Sequence, residues 1–294
     1  MKLGKIYILF VLFFGVGNLF GQYIPLMNGY FVSNQFYNPA SAGRSEHMVA
    51  YTGLRQQWVR IKGAPSTQML AFDSPLKKQR FGIGGIYYHD KIGATSTNGL
   101  QINYSYRVRI SRRKKIAFGV NAGIENQRFK IEEIDLINAN DQAFTGQFSN
   151  QNKLKIGAGA ILYDKYLVIG VSVNDLIKES GFANGIAYLQ YKKKINREWT
   201  VSPGVLLKMN TLSISQAEFS VLTSYKKQIS LNLGFRTNGS IIAGVGVKPK
   251  SQLLVMYSYD YVAGHLKTFT AGSHELILKY DFIKKYRVSS PRIF

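Results

Sequence analysis

The sequence runs to 294 residues, of which 46% are hydrophobic, with a formal charge of +22 and no cysteine. Its mean hydropathy of −0.09 disperses the apolar residues among polar ones, which excludes a bundle of membrane-spanning helices, each needing about 20 apolar residues in a row. The missing thiols exclude disulfide staples, zinc–thiolate sites and cysteine nucleophiles.

Lys2 and Lys5 precede the apolar run Ile6–Phe14, and small residues follow. A basic start, a short apolar stretch and small residues predict a secretory signal peptide over 1–21, with cleavage after Gly21 leaving Gln22 first. Leu19 fits an A-x-A site poorly, and a retained N-terminal anchor is the alternative. Export also changes the meaning of the charge, which in a cytoplasmic protein would suggest nucleic acid.

Residues 22–47 obey no period, because Pro25, Asn28-Gly29 and Asn38-Pro39-Ala40-Ser41-Ala42-Gly43 interrupt it. They form an extended lead-in that either tucks into a lumen as a plug or stays outside as a tail. From residue 48 the pattern is strict alternation. Leu100, Ile102, Tyr104, Tyr106, Val108 and Ile110 interleave with Gln101, Asn103, Ser105, Arg107 and Arg109. The segments Ile116–Glu125, Ile229–Arg236 and Leu253–Tyr261 behave alike. Neighbours on a strand point to opposite faces, so each segment has one greasy and one wet surface.

Turn signals divide 48–283 into candidate strands near 48–60, 66–74, 81–91, 97–110, 115–128, 153–163, 165–175, 185–193, 199–209, 213–224, 227–237, 239–249, 251–261 and 272–283. Segments of about 9–12 residues suit a tilted strand crossing a bilayer, whereas soluble strands average about five or six. The 19 tyrosines and 18 phenylalanines recur at segment ends, as interfacial girdles require, and Gly157, Gly159, Gly204, Gly244 and Gly246 sit on inward faces. The fold class is therefore all-β, a transmembrane antiparallel barrel of about fourteen strands, an even number as bacterial barrels have.

The short turns Tyr163-Asp164-Lys165 and Thr237-Asn238-Gly239 are expected at the periplasmic face, and the longer links 129–152 and 176–184 at the cell surface. Lys77-Lys78-Gln79-Arg80, Arg112-Arg113-Lys114-Lys115, Lys192-Lys193-Lys194, Lys226-Lys227 and Lys284-Lys285 occupy strand ends and turns. Solvation explains most of this charge, with anionic lipid or acidic partners as a further role. The last strand carries Leu276, Leu278, Tyr280 and Phe282 outward and Glu275 and Lys279 inward, and residues 284–294 follow as a basic periplasmic tail.

Catalytic constellations are thin. His47, His89, His265 and His274 show no metal-ligand spacing, and His274-Glu275 and His89-Asp90 are adjacent pairs that a strand turns to opposite faces. Ser258 and Ser273 lack a base with an orienting partner, and Gly82-Ile83-Gly84-Gly85 lacks the Lys-Ser/Thr of a phosphate loop. The expectation is a non-enzyme without cofactor or metal. Around Arg55-Gln56-Gln57-Trp58 and Gly63-Ala64-Pro65, an inward Arg55 has Asp73, Asp90, Asp260 and Glu275 as candidate partners across a lumen. Arg55, Trp58, Asp73, Asp90, Asp260 and Glu275 form the candidate ion-pair or docking network, weighted towards barrel packing over gating or peptide docking.

These residues carry a resemblance. Tyr37-Asn38-Pro39-Ala40-Ser41-Ala42-Gly43, Arg55-Gln56-Gln57-Trp58 with Gly63-Ala64-Pro65-Ser66-Thr67, Asp73-Ser74-Pro75, Gly82–Gly85 leading into Asp90-Lys91-Ile92-Gly93, and Tyr257–Asp260 leading into Gly272–Glu275 resemble the PorP/SprF family of Bacteroidota type IX secretion and gliding-motility systems. They cover nearly the whole mature chain, with Ser41 standing where the family pattern has an aromatic residue. The resemblance implies an outer-membrane protein that holds a secreted adhesin or other cargo at the cell surface by the cargo's C-terminal domain. It also implies contact with periplasmic components of the machinery, and it transfers no catalytic residue. The alternative is a channel for small or hydrophobic solutes, against which inward Arg107, Arg109, Arg236 and Lys248 would crowd a pore.

Overall fold

A computed structural model describes residues 27–76, 79–129, 150–177, 184–210, 213–263 and 265–283. The expected signal peptide and basic tail lie outside them. The strands are β1 Met48–Gln56, β2 Ser66–Leu76, β3 Phe81–Ile92, β4 Thr95–Arg109, β5 Lys115–Phe129, β6 Gln151–Tyr163, β7 Leu167–Val173 and β8 Asn184–Tyr191. They continue as β9 Lys193–Lys194, β10 Trp199–Asn210, β11 Ser213–Tyr225, β12 Ile229–Arg236, β13 Ser240–Lys250, β14 Leu253–Val262 and β15 Ser273–Phe282. Each long strand pairs antiparallel with its sequence neighbours, β1 pairs with β15, and the β10–β11 pairing completes the ring. The result is a closed fourteen-strand barrel plus one short extra strand, and closure leaves no open sheet edge to face lipid.

That extra strand has a local cause. The β8–β10 register aligns Gln190 with Gly204, and β9–β10 aligns Lys193 with Val201, so both belong to one register. It puts Tyr191 opposite Pro203, which has no N–H to give the ladder, and the strand is split there. Pro203→Ala is expected to join β8 to β9 and slow amide hydrogen exchange at Lys193 and Lys194; unchanged exchange would refute this account of the break.

Period two decides what each face meets. Leu100, Ile102, Tyr104, Phe118, Val120, Leu231, Leu233, Leu276 and Leu278 are exposed on the outer wall. The opposite face buries Asn103, Ser105, Arg107, Asn121, Glu125, Ser220, Asn232, Ser258 and Glu275. Among the described residues no helix is long and apolar enough to cross a membrane. The five inward glycines line the lumen as expected, with Gly159 against Asn38 and Gly204 against Tyr30 and Phe31.

Strand parity corrects one expectation. The near end of the barrel is where β1 begins and β15 finishes, and the far end is the other. The turn at 164–166 joins β6 to β7 at the near end, whereas 237–239 joins β12 to β13 at the far end, so these short turns do not share a face. Both longer links expected at the surface leave from the far end. β1 also stops at Gln56, four residues before the expected Arg60, because Trp58 and Arg60 adopt φ of 43° and 83°, which no strand accommodates.

Parity also sorts the charge. The described near-end turns contain Arg112-Arg113-Lys114, Lys165, Lys192-Lys193-Lys194, Arg197 and Lys226-Lys227, against Asp164 and Glu198. The far-end connections at 57–65, 93–94, 237–239 and 265–272 hold Arg60, Lys62 and Lys267 as their lysines and arginines. In the β6–β7 turn, Asp164 accepts N–H bonds from Tyr166 (2.6 Å) and Leu167 (2.8 Å), which hold its carboxyl below the usual range.

Candidate functional site

The lumen is occupied by the chain's own lead-in. Asn38 caps a short 3-10 turn, Pro39–Ser41, by accepting the Ala40 N–H at 2.9 Å, and Pro39 loses nothing at the first helical position. Met27, Asn28, Tyr30, Gln35, Tyr37, Asn38, Ala40 and Ala42 are all buried. The wall holds them from many sides. Tyr30 meets Ser220 at 2.7 Å, Gln35 donates to the Phe72 carbonyl at 2.9 Å, and Asn38 donates to the Val171 carbonyl at 2.9 Å. Ser172 donates to the Tyr37 carbonyl at 2.6 Å, and Ser105 and Arg107 reach the Ala42 carbonyl at 2.7 and 2.8 Å. Gly119 and Gly82 make room: any Cβ there would collide with the backbone of Ala40 or Ala42.

Towards the far end the lead-in meets a buried charge cluster. Arg55 on β1 forms ion pairs with Asp260 on β14 (2.6 Å) and Glu275 on β15 (2.9 Å). Arg236 on β12 pairs with Asp260 (2.8 Å) and Glu218 on β11 (2.7 Å). Asn28 closes the group: its backbone N–H lies 2.9 and 2.8 Å from the two Glu275 oxygens, its amide donates to Asp260 at 2.5 Å, and its carbonyl oxygen accepts from Arg236. Lys208 on β10 is also buried, its Nζ 5.7 Å from the centre of the Tyr37 ring. Arg55 and Arg236 between them pair with all three carboxylates, the condition under which charge survives away from water, while the Lys208 Nζ makes no hydrogen bond.

Of the six residues nominated from sequence, the cluster brings together Arg55, Asp260 and Glu275. Asp73 and Trp58 fall elsewhere, and Asp90 sits beside the cluster rather than within it. Asp73 accepts the Gly43 N–H towards the near end. Asp90 accepts from Thr67, whose strand lies between it and Arg55. Trp58 contributes its backbone N–H to the Ser273 hydroxyl at 3.2 Å, from a left-handed turn. Sequence reasoning missed Arg236 as a partner, along with Glu218 and Asn28. The usable signal was charge parity, since Arg236 and Glu218 are inward-facing charges on paired strands, directly cross-strand. His274 lies outward, its Nδ1 2.6 Å from the Tyr257 hydroxyl, while Glu275 points inward. No cluster of three or more metal-ligating side chains occurs among the described residues.

The far-end turn 57–65 is docked rather than loose. Val59 donates its N–H to the Gly272 carbonyl and its own carbonyl accepts from Ala271, both at 2.9 Å, and Gly93 donates to the Gly63 carbonyl at 2.8 Å. Arg60 and Phe269, the latter 69% exposed, lie on these two segments. A non-glycine residue held at positive φ costs on the order of 1–3 kcal/mol, and here the second segment supplies the hydrogen bonds that hold it.

The fold recurs in solved outer-membrane barrels. The toluene transporter TbuX of Ralstonia pickettii superposes with a TM-score of 0.50 at 10% identity, covering 83% of this chain and 91% of that one. The CymD monoaromatic hydrocarbon channel gives 0.51 at 11% identity, covering 92% and 96%. At such identity the likeness is one of fold. No curated protein matches the sequence. The family model for the type IX secretion system membrane protein PorP/SprF matches residues 19–280, from before the lead-in to within β15, and so spans the plug, the charge cluster and the docked turn together. The chain belongs to the PorP/SprF family of type IX secretion system membrane proteins.

Proposed function

We propose that this outer-membrane barrel is a plugged anchor, which binds a secreted cargo protein through the cargo's C-terminal domain at its far end, without enzymatic activity. The observation that carries the proposal is the lead-in, fastened around the lumen and sealed towards the far end by the Arg55–Arg236 cluster. A barrel so filled offers partners its ends rather than a passage. Bacterial barrels keep short turns in the periplasm and long loops outside, so the far end, with the 57–65 turn and the longer links, faces the medium. Its docked, strained turn is a rigid platform for a partner, and rigid platforms bind with less ordering cost. The near end then meets the periplasmic machinery that the family implies.

The test is capture in the native host. The full-length barrel is expected to co-purify with a surface protein bearing a type IX C-terminal domain, and Trp58→Ala combined with Phe269→Ala is expected to lower recovery about tenfold, the loss of two modest interface contacts. Unimpaired recovery would remove the 57–65 turn from the interface, and no recovery by the wild type would sink the anchor. The competing function, a solute channel, draws on the hydrocarbon channels that share the fold, and it requires steady conductance from the intact chain.

A further inference from the structure

The near-end charge is more than scattered turn chemistry, because it lies beside an aromatic girdle at the same level. Trp199 and Tyr225 meet at 4.8 Å, Phe81 and Tyr106 at 5.2 Å, and Tyr280 and Phe282 at 4.8 Å between ring centres. Apart from the half-buried Phe81 and Tyr225, these rings are exposed on the outer wall at the near end. A lysine sits over one of these rings: Lys226 Nζ is 5.1 Å from the centre of Tyr225. This ammonium group is therefore beside the outer wall, at the height where acyl chains give way to headgroups.

The basic turns follow one another round the ring, at β4–β5, β6–β7, β8–β10 and β11–β12. We infer that this near-end collar binds the phosphate headgroups of anionic phospholipid in the leaflet around it. The four turns occupy consecutive near-end connections from β4 to β12, and the Lys226–Tyr225 pair lies on the lipid-facing wall, where the surrounding leaflet meets it. Acid at this rim is partly spent within the protein, as in the Glu198–Lys226 pair at 3.2 Å.

The experiment compares the full-length protein with a variant carrying Arg113→Gln, Lys114→Gln, Lys193→Gln and Lys227→Gln, all at exposed turn or rim positions. Each protein is reconstituted with equal amounts of phosphatidylethanolamine and phosphatidylglycerol, and the retained lipid is counted by native mass spectrometry. The wild type is expected to retain phosphatidylglycerol preferentially, by about fivefold for each basic residue in contact, with the preference collapsing in the variant and falling as salt rises. Heat-modifiability on gels must show both barrels folded; should the variant fail, Lys227→Gln alone is read the same way. Equal retention of the two lipids by the wild type overturns the inference, as does a preference that survives the substitutions. Preferential retention of added lipid A also overturns it, by placing the collar in the outer leaflet, and so does retention of a soluble acidic protein in place of phospholipid.

Discussion

Replacing Arg236 by alanine is expected to destabilise the folded barrel by about 3–5 kcal/mol, the usual cost of removing one partner from a buried ion pair. Arg236 is 1% exposed and holds Glu218, Asp260 and the Asn28 side chain. Without it Glu218 loses its ion-pair partner and Asp260 keeps Arg55 alone. Leaving a carboxylate without its cation in a low-dielectric interior costs more than the pair itself contributes. Urea titration of the barrel in lipid vesicles measures the loss. The double variant Arg236→Met with Glu218→Gln separates charge from packing, because it withdraws one cation and one carboxylate together. It is expected to recover more than half of the loss, and a double variant as unstable as the single one would refute the charge explanation.

Gly119→Val is expected to turn a closed barrel into a conducting one. The Gly119 position abuts the Pro39–Ala40 backbone, so a branched side chain and the 3-10 turn cannot both occupy it. Overpacking of this kind costs about 1–3 kcal/mol, comparable to the few hydrogen bonds with which Asn38 and Tyr37 hold that part of the plug. The barrel ladders are untouched, because Gly119 keeps its partners Ser105 and Gly159. Planar-bilayer recording should show a quiet wild type and steady openings in the variant. Steady openings in the wild type would mean that the lead-in does not seal the lumen and would favour the solute channel. A silent variant that protease digestion shows to have kept its plug would refute the assigned role of Gly119.

Part of this fold was legible because a strand is a local object. The outward set Leu100–Ile110 and the inward set Gln101–Arg109 follow from period two alone, and the strand number followed from turn residues between such runs. The misplaced boundary at Trp58–Arg60 has a cause that alternation does not encode. Positive φ at Trp58 and Arg60 is stabilised by the Ala271–Gly272 segment, more than 200 residues away in sequence. Asp73 looked as eligible as Asp260 for pairing with Arg55, since both alternate inward. Height along the barrel separates them. Asp73 lies by Gly43 and Gly82 towards the near end, and Asp260 lies by Asn28 and Arg236 towards the far end.

Local alternation and turn residues specify an amphipathic ring of strands and the residues its two faces expose, and motifs spread over residues 37–275 specify the family. The folded barrel adds that Met27–Gly43 runs inside the ring, that Arg236, Glu218 and Asn28 join Arg55, Asp260 and Glu275, and that the basic turns share one end. The physical reason is range. The face of a side chain depends on its immediate neighbours through the pleat, whereas the partner it meets across a lumen depends on strand register, ring closure and the path of the inserted segment, which every strand fixes jointly.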